Sequence, residues 1–372
     1  MPKNIIICCD GTSNKVGLSE NTNVVHLYSC LEQSKEQITY YNPGVGTLAP
    51  TSFKRNYRKI IYKIADVIFA KTLNVRVKDA YIYLMNHYEE GDRIYLFGFS
   101  RGAYSVRMLA GMLKLYGILY SGNESHLEYI FNEYSKIRVE PLESERNKYF
   151  GLANRIKHSF SHNAIIQFMG IWDTVVSIGN LTSYYRPFPY TDSLVGVTTV
   201  RHALAIDEKR KHYQPFRVNS DHKDCKEVWF AGVHSDVGGS YKKEGLSKIA
   251  LEWMLCEASH FGLKLNKDKV DRYVYGKRSK YQKPDFKQNI EKSDTCVFKL
   301  ADLLPRPSYN LIAGFYFDFR LNGKRKIEEG AMIHSSVIDK LKYKENMHLY
   351  KPLNIPQEFI QIENIELKYN NI

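Results

Sequence analysis

Short runs of consecutive apolar residues, each cut off by a polar turn, alternate along this chain with longer stretches whose apolar positions recur every three or four residues. Asn4–Cys9, Arg93–Phe97, Ala164–Trp172 and Glu227–Val233 are runs of the first kind. They end at Asp10-Gly11, Gly98-Phe99-Ser100, Asp173-Thr174 and His234-Ser235. Short apolar runs closed by turn signals predict strands buried on both faces, as in a parallel sheet. Stretches of the second kind run from Arg101 to Tyr116, with Val106, Leu109, Ala110 and Leu113 on one stripe, and from Leu246 to Phe261, with Ile249, Trp253 and Met254. They predict helices that cover the sheet. The alternation gives an α/β fold class, with a mostly parallel central sheet and helices on both faces.

The remaining segments read less regularly. Residues 121–162 are polar and helical in pattern, and His202–Glu208, with two alanines and a leucine, also reads as helical. Residues 177–199 form an aromatic loop with Tyr184, Tyr185, Phe188 and Tyr190, either a lid over an acyl pocket or a packing element. Residues 264–299 are basic and irregular, as in a surface or membrane-facing excursion, and Phe359 to Ile365 reads as a last strand. The expected organisation is one catalytic domain over 1–345, with insertions at 121–162, 177–199 and 264–330 and a C-terminal extension over 346–372 packed on it.

Chemistry concentrates where the strand runs stop. Gly98-Phe99-Ser100-Arg101-Gly102 is a G-x-S-x-G pentapeptide between strand and helix, where a sharp turn would expose a serine hydroxyl as nucleophile. A strand-to-helix turn with a capping serine is the bland alternative. A serine needs a base to take its proton and an acid to orient that base, here in the chain order Ser, acid, His. Asp173 and His234 supply that order just past strand ends, the rim where open α/β sheets bind ligands. Asp207 is the second choice of acid, and His202 and His334 are alternative bases. The Arg101 amide, at a helix start, and the Gly11 or Thr12 amide are the expected oxyanion donors. Asp10 is expected to position its own loop. Asp236, which makes an H-x-D spacing with His234, is expected to structure the loop after the base rather than to bind a metal, since no further ligands cluster nearby.

Composition narrows the class. The chain has 372 residues, of which 44% are hydrophobic, enough for a large core. No apolar run approaches the roughly 18 residues that span a bilayer, and the first apolar run ends at Asp10 without a secretory pattern. A cytoplasmic location is expected on these grounds. Six cysteines without a C-x-x-C pair point away from a zinc site or a disulfide framework. Neither a metal nor any other cofactor is expected. Lys and Arg number 53 against 40 Asp and Glu, a net charge of +13. That excess would draw the chain to an anionic lipid surface, or simply keep it soluble. No aromatic-basic repeat suggests a nucleic-acid partner, and the sequence leaves the oligomeric state open.

The ordered set Cys9-Asp10-Gly11-Thr12, Tyr41 to Thr47, Gly98 to Ala103, Trp172 to Val175, Ala203 to Glu208 and Gly232 to Gly239 resembles the DUF2235 family of α/β-hydrolase domains, which includes Tle1-type phospholipase effectors of type VI secretion. The similarity extends from the first strand to about residue 345. It implies an α/β-hydrolase fold, hydrolysis of glycerophospholipid acyl esters by Ser100, Asp173 and His234, and export by a route that needs no signal peptide. It also makes Ala331 to Val337, with His334, a feature near the site. A strand followed by Asp-Gly-Thr is similar to aspartyl-phosphate phosphatases too, but their nucleophilic aspartate would fall at Cys8. An esterase, thioesterase or amidase acting on a soluble substrate would share these motifs, and a non-catalytic binding module on the same fold would tolerate loss of Ser100.

Overall fold

Eight strands carry the apolar runs into one sheet. The computed structural model describes residues 2–11, 20–43, 58–139, 143–176, 187–210, 213–291, 306–310, 314–318, 323–345 and 348–369. The strands are β1 (Asn4–Cys9), β2 (Gln37–Asn42), β3 (Arg93–Phe99), β4 (Ile166–Trp172), β5 (Val197–Ala205), β6 (Cys225–Phe230), β7 (Ala331–His334) and β8 (Phe359–Ile362). They lie in the order β8-β7-β6-β5-β4-β3-β1-β2, and every neighbouring pair is parallel.

Helices cover both faces. On one side α2 (Arg58–His87), α3 (Arg101–Tyr116), α4 (Ser125–Val139) and α5 (Glu143–Phe160) pack Val77, Tyr81, Leu109, Tyr134 and Ala153 against Ile5, Ile7, Leu96 and Met169. On the other, α1 (Asn23–Cys30), α7 (Gly245–His260) and α8 (Lys267–Tyr273) pack Leu27, Ala250, Trp253 and Val270 against Ile6, Cys8, Phe97 and Phe168. The alternation of Ile5 and Ile7 against Ile6 and Cys8 is the period-two geometry of a strand buried on both faces. A third cluster joins α9 (Ser335–Lys342) to β5, β6 and β7 through Val337, Leu204, Trp229 and Ile333.

Two expectations about the elements are corrected. His202–Glu208 is not helical: its first four residues finish β5, which opens with the β-branched run Val197-Thr198-Thr199-Val200. Ala203 and Ala205 pack into one cluster and Leu204 into another, so sheet burial overrides the helix propensity of Ala and Leu. The same strand starts inside the segment expected as an insertion after the acid. Residues 264–290 are not wholly a surface excursion either, because Leu265, Val270 and Val274 are buried against α1 and α7. Phe188, at the described end of the aromatic loop, fits the packing alternative: it is buried and its ring stacks on Tyr134 at 5.0 Å. Residues 177–186 of that loop lie outside the described residues.

Registry sets the site. Cys9 pairs with Gly98, Phe99 with Trp172, Trp172 with Ala203, and Ala205 with Phe230, so these strands leave the sheet along one rim. The strand order reverses direction between β1 and β3, the kind of switch point where open sheets place their ligands. At that point α3 meets the end of β1 so closely that a Cβ on Gly102 would lie 2.2 Å from the Cys9 carbonyl oxygen, and one on Gly98 2.7 Å from backbone atoms of Ala103. Gly102→Ala is therefore expected to lower stability by about 3 kcal/mol, the upper part of the range for overpacking. An unchanged urea-unfolding midpoint would contradict this close approach.

Candidate active site

Ser100 is the residue between β3 and α3. Its backbone sits at φ 58°, ψ −123°, in the left-handed region that a side chain rarely adopts. Such a conformation costs on the order of 1–3 kcal/mol and persists only where its surroundings enforce it. Here the enforcement is visible. The Ser100 N–H donates to the Trp172 carbonyl at 3.0 Å, and Gly98 and Gly102 allow the tight packing on either side.

The hydroxyl lies 2.9 Å from Nε2 of His234, and Nδ1 of His234 lies 2.5 Å from Oδ2 of Asp173. All three residues are buried. With a carboxylate accepting from Nδ1–H, the Nε2 lone pair faces the serine proton, the arrangement that turns an imidazole into a base. His234 opens the short helix α6 (His234–Gly238), and its N–H donates to Oε2 of Glu208 at 3.2 Å. Phe99 and Tyr213 approach its ring with centroids at 4.6 and 4.8 Å. Burial pulls the imidazole below its ordinary value, and Asp173 only partly offsets that, so the ring stays neutral into the acidic range.

Asp173 follows β4 at φ 38°. Its N–H donates to the Ala203 carbonyl at 2.7 Å, and Oδ1 accepts the Ala205 N–H at 3.1 Å. The sequence reading missed its other partner. Arg325 donates from Nη1 to Oδ1 at 2.5 Å and from Nη2 to Oδ2 at 2.8 Å. Burial by itself would raise this carboxyl. The charge of Arg325 and the hydrogen bonds of His234 and Arg325 outweigh it and hold Asp173 well below the usual carboxylate range. Glu208, likewise unread, makes a two-point pair with Arg210 at 2.9 and 2.8 Å.

The other expected residues divide clearly. Arg101 is the first residue of α3, so its amide lies at the positive end of that helix. Gly11 is corrected: its N–H donates to its neighbour's Asp10 Oδ1 at 2.6 Å, because that carboxylate gathers the loop around itself. Oδ2 of Asp10 accepts from Thr22 and Tyr41, both at 2.8 Å. Thr12 lies outside the described residues. Asp207 is not brought to the imidazole; Oδ2 accepts from the Gly232 N–H and the Tyr350 hydroxyl at 2.8 and 2.7 Å. Asp236 accepts the Val233 and Glu291 N–H groups, and burial pushes its carboxyl up to about 6.

The alternative bases sit elsewhere. His202 accepts the Thr174 N–H on Nε2 at 3.1 Å and donates from Nδ1 to Glu227 at 2.8 Å. Burial holds it at about 4, and it braces the residue after Asp173. His334 caps α9, bonded to Ser336 and to Asn364 and stacked on Phe230. It makes no bond to Ser100 or Asp173. Among the described residues no group of His, Cys, Asp and Glu is placed to hold a metal ion, and no helix is long and apolar enough to cross a membrane.

The model of the catalytic domain of Tle1-like phospholipase effectors of type VI secretion matches residues 3–257. The chain belongs to this family. The matched residues of this Tle1-like chain include Ser100, Asp173 and His234, whereas Arg325 lies beyond them. An uncharacterized protein of Saccharomyces cerevisiae is 37% identical over 220 residues, which are 57% of this chain and 32% of that protein. The chain thus spans about a third of that relative's length. Among solved structures, an uncharacterized protein from Pseudomonas aeruginosa aligns over 77% of this chain and 49% of its own, at 18% identity and a TM-score of 0.43. A Tle1 effector bound to the VgrG spike of the type VI secretion system aligns over 65% and 51%, at 18% identity and a TM-score of 0.34.

Proposed function

We propose that this Tle1-like chain is a serine hydrolase that cleaves acyl esters of glycerophospholipids. The observation that carries the reading is the unbroken bond sequence from Ser100 Oγ through His234 to Asp173, at 2.9 and 2.5 Å, on a strained strand-to-helix turn. Ser100 attacks the ester carbonyl while His234 Nε2 takes its proton. The Arg101 amide, at the N-terminus of α3, faces the developing oxyanion, a kind of contact worth about 3 kcal/mol per donor. His234 then gives the proton to the departing lipid alcohol as the acyl–oxygen bond breaks. A water molecule, deprotonated by the same imidazole, attacks the acyl-enzyme and releases the fatty acid with Ser100 restored.

The phospholipid assignment comes from the family. Exposed lysines on the loop that follows α6 and on the segment bonded to it support an anionic lipid surface as the place of action. Lys242, Lys243, Lys283 and Lys287 are exposed, Lys243 lies 3.9 Å from Glu291, and the bonds from Glu244 N–H to Gln282 and from Gln288 to the Lys243 carbonyl join the two segments. Each lysine near such a surface contributes about 1 kcal/mol, screened by salt. Fatty acid release should be measured from phosphatidylglycerol and phosphatidylcholine vesicles, beside hydrolysis of a short p-nitrophenyl ester. A rate that jumps when the lipid forms vesicles, higher on phosphatidylglycerol, is expected. Turnover of the soluble ester alone, with none on vesicles, would replace phospholipase by soluble esterase.

The depressed imidazole sets a pH signature. Protonated His234 cannot accept the serine proton, and burial lowers the pH at which it charges. On the soluble ester, kcat/KM should stay flat through neutrality and fall only below the ordinary histidine value of 6.5. An acid limb above that value would count against His234 as the base.

A further inference from the structure

We propose that Arg325 is the positioning residue of this site: it holds both oxygens of Asp173 from a late part of the chain, and so fixes the direction and the strength of the hydrogen bond that Asp173 accepts from His234. The inference rests on the reading of Ser100 as nucleophile and goes beyond it.

The side chains of Arg325 and Asp173 are both fully excluded from solvent. Each carboxylate oxygen of Asp173 accepts two bonds: Oδ1 from Ala205 N–H and Arg325 Nη1, Oδ2 from Arg325 Nη2 and His234 Nδ1. A carboxylate has about four acceptor positions, so the group is saturated in one orientation. Turning it would break the planar two-point match with the guanidinium. Arg325 is itself anchored. Nη1 also donates to the Ala205 carbonyl at 2.9 Å and Nη2 to the Tyr213 carbonyl, while its own carbonyl accepts from Asn354 at 3.1 Å. Tyr213 is the residue whose ring faces His234. One guanidinium therefore ties together the acid, the strand beside it and the loop packed on the base.

Arg325 reaches the imidazole through Asp173, the carboxylate that opposes the effect of burial on the ring. Asp173 faces it from the end of β4, Glu208 and Arg210 from the segment after β5, Tyr213 from the next loop and Ser100 from the strand-to-helix turn, while Asp236 on its own helix directs its carboxylate to the Val233 and Glu291 amides. His202 stands behind Thr174. Burial is the largest influence on the imidazole and Asp173 the largest that opposes it, and Arg325 acts on the ring through the carboxylate that it holds. If the guanidinium is removed, the uncompensated carboxylate favours the imidazolium and the acid limb moves up.

The test compares full-length wild type with Arg325→Met on a soluble ester across pH. The expected result is a fall in kcat on the order of 10²-fold with KM within about twofold, as for loss of alignment, and an acid limb raised by about one pH unit. Arg325→Lys keeps a cation but not the two-point geometry; its limb should stay near that of wild type while kcat falls about tenfold. Millimolar guanidinium should restore part of kcat to Arg325→Ala, and equal potassium should not. A purely structural role would lower the yield of folded protein but leave the limb unmoved. An unmoved limb in Arg325→Met, or full kcat in Arg325→Lys, overturns the proposal. If Arg325→Met does not fold, Arg325→Lys and the guanidinium rescue decide. An inactive wild type would instead refute the nucleophile reading.

Discussion

Replacing Ser100 by alanine is expected to lower kcat/KM on phospholipid and on p-nitrophenyl ester alike by on the order of 10⁵-fold, the scale of removing a nucleophile whose base and acid remain. The fold should hardly register the change. What fixes the turn is backbone: the Ser100 N–H on the Trp172 carbonyl and the glycine contacts at 98 and 102, none of which needs the hydroxyl. The melting temperature should stay within about 2 °C of the parent, since the substitution opens no sizeable cavity, strands no buried charge and changes no backbone contact. Calorimetry beside an esterase assay checks both halves. Residual activity within tenfold of wild type would remove Ser100 from the chemistry.

Asp173→Asn should behave differently, because it disables the site and the fold together. The amide cannot hold the imidazole in the tautomer that leaves Nε2 as acceptor, and a comparable change in a Ser-His-Asp site costs roughly 10⁴-fold in kcat. The same substitution strips the counter-charge from Arg325, which is buried and has no other carboxylate as a hydrogen-bond partner among the described residues. Breaking a buried ion pair from one side costs about 3–5 kcal/mol, which lowers the melting temperature by roughly 10 °C in a chain of this size. A matched pair of melting curves and pH–rate profiles for Ser100→Ala and Asp173→Asn makes the contrast. Equal melting temperatures in the two variants would mean that the Arg325–Asp173 pair contributes little to stability.

Legibility in the sequence followed the physics of each residue. The strands that carry Asp10, Ser100, Asp173 and His234 were readable because a parallel sheet buried on both faces demands uninterrupted apolar runs, and polar residues can only follow where those runs stop. The glycines at 98 and 102 were readable because their spacing around a serine has a steric cause, and the Cβ overlaps bear out that cause. β5 was misread because its end, His-Ala-Leu-Ala, has helix propensity, and only the packing of Ala203 and Leu204 into opposite clusters makes it a strand. β2, with Tyr40 and Tyr41 at the edge of the sheet, has too few apolar residues to stand out.

Arg325 could not have been found by pattern. It stands in Gly323-Lys324-Arg325-Lys326, where three consecutive cations look like an ordinary solvated turn. Nothing local distinguishes the middle one, which is buried against a carboxylate 152 positions earlier in the chain. Glu208 has the same character, since it neighbours Asp207 and only the fold separates the carboxylate that meets the His234 amide from the one that meets Tyr350. Gly11 shows the opposite error. A glycine after a strand suggested an amide aimed at an oxyanion, and the short side chain of Asp10 took that amide first.

The central claim is that Ser100 is activated by His234. A fluorophosphonate probe reacts with a serine only when a neighbouring base takes its proton. Incubating the folded chain with such a probe and sequencing the adduct by mass spectrometry should give one modification, on the peptide that contains Ser100, lost in His234→Gln and in heat-unfolded protein. Labelling on another residue, or labelling of Ser100 that survives His234→Gln at the parent rate, would contradict the account.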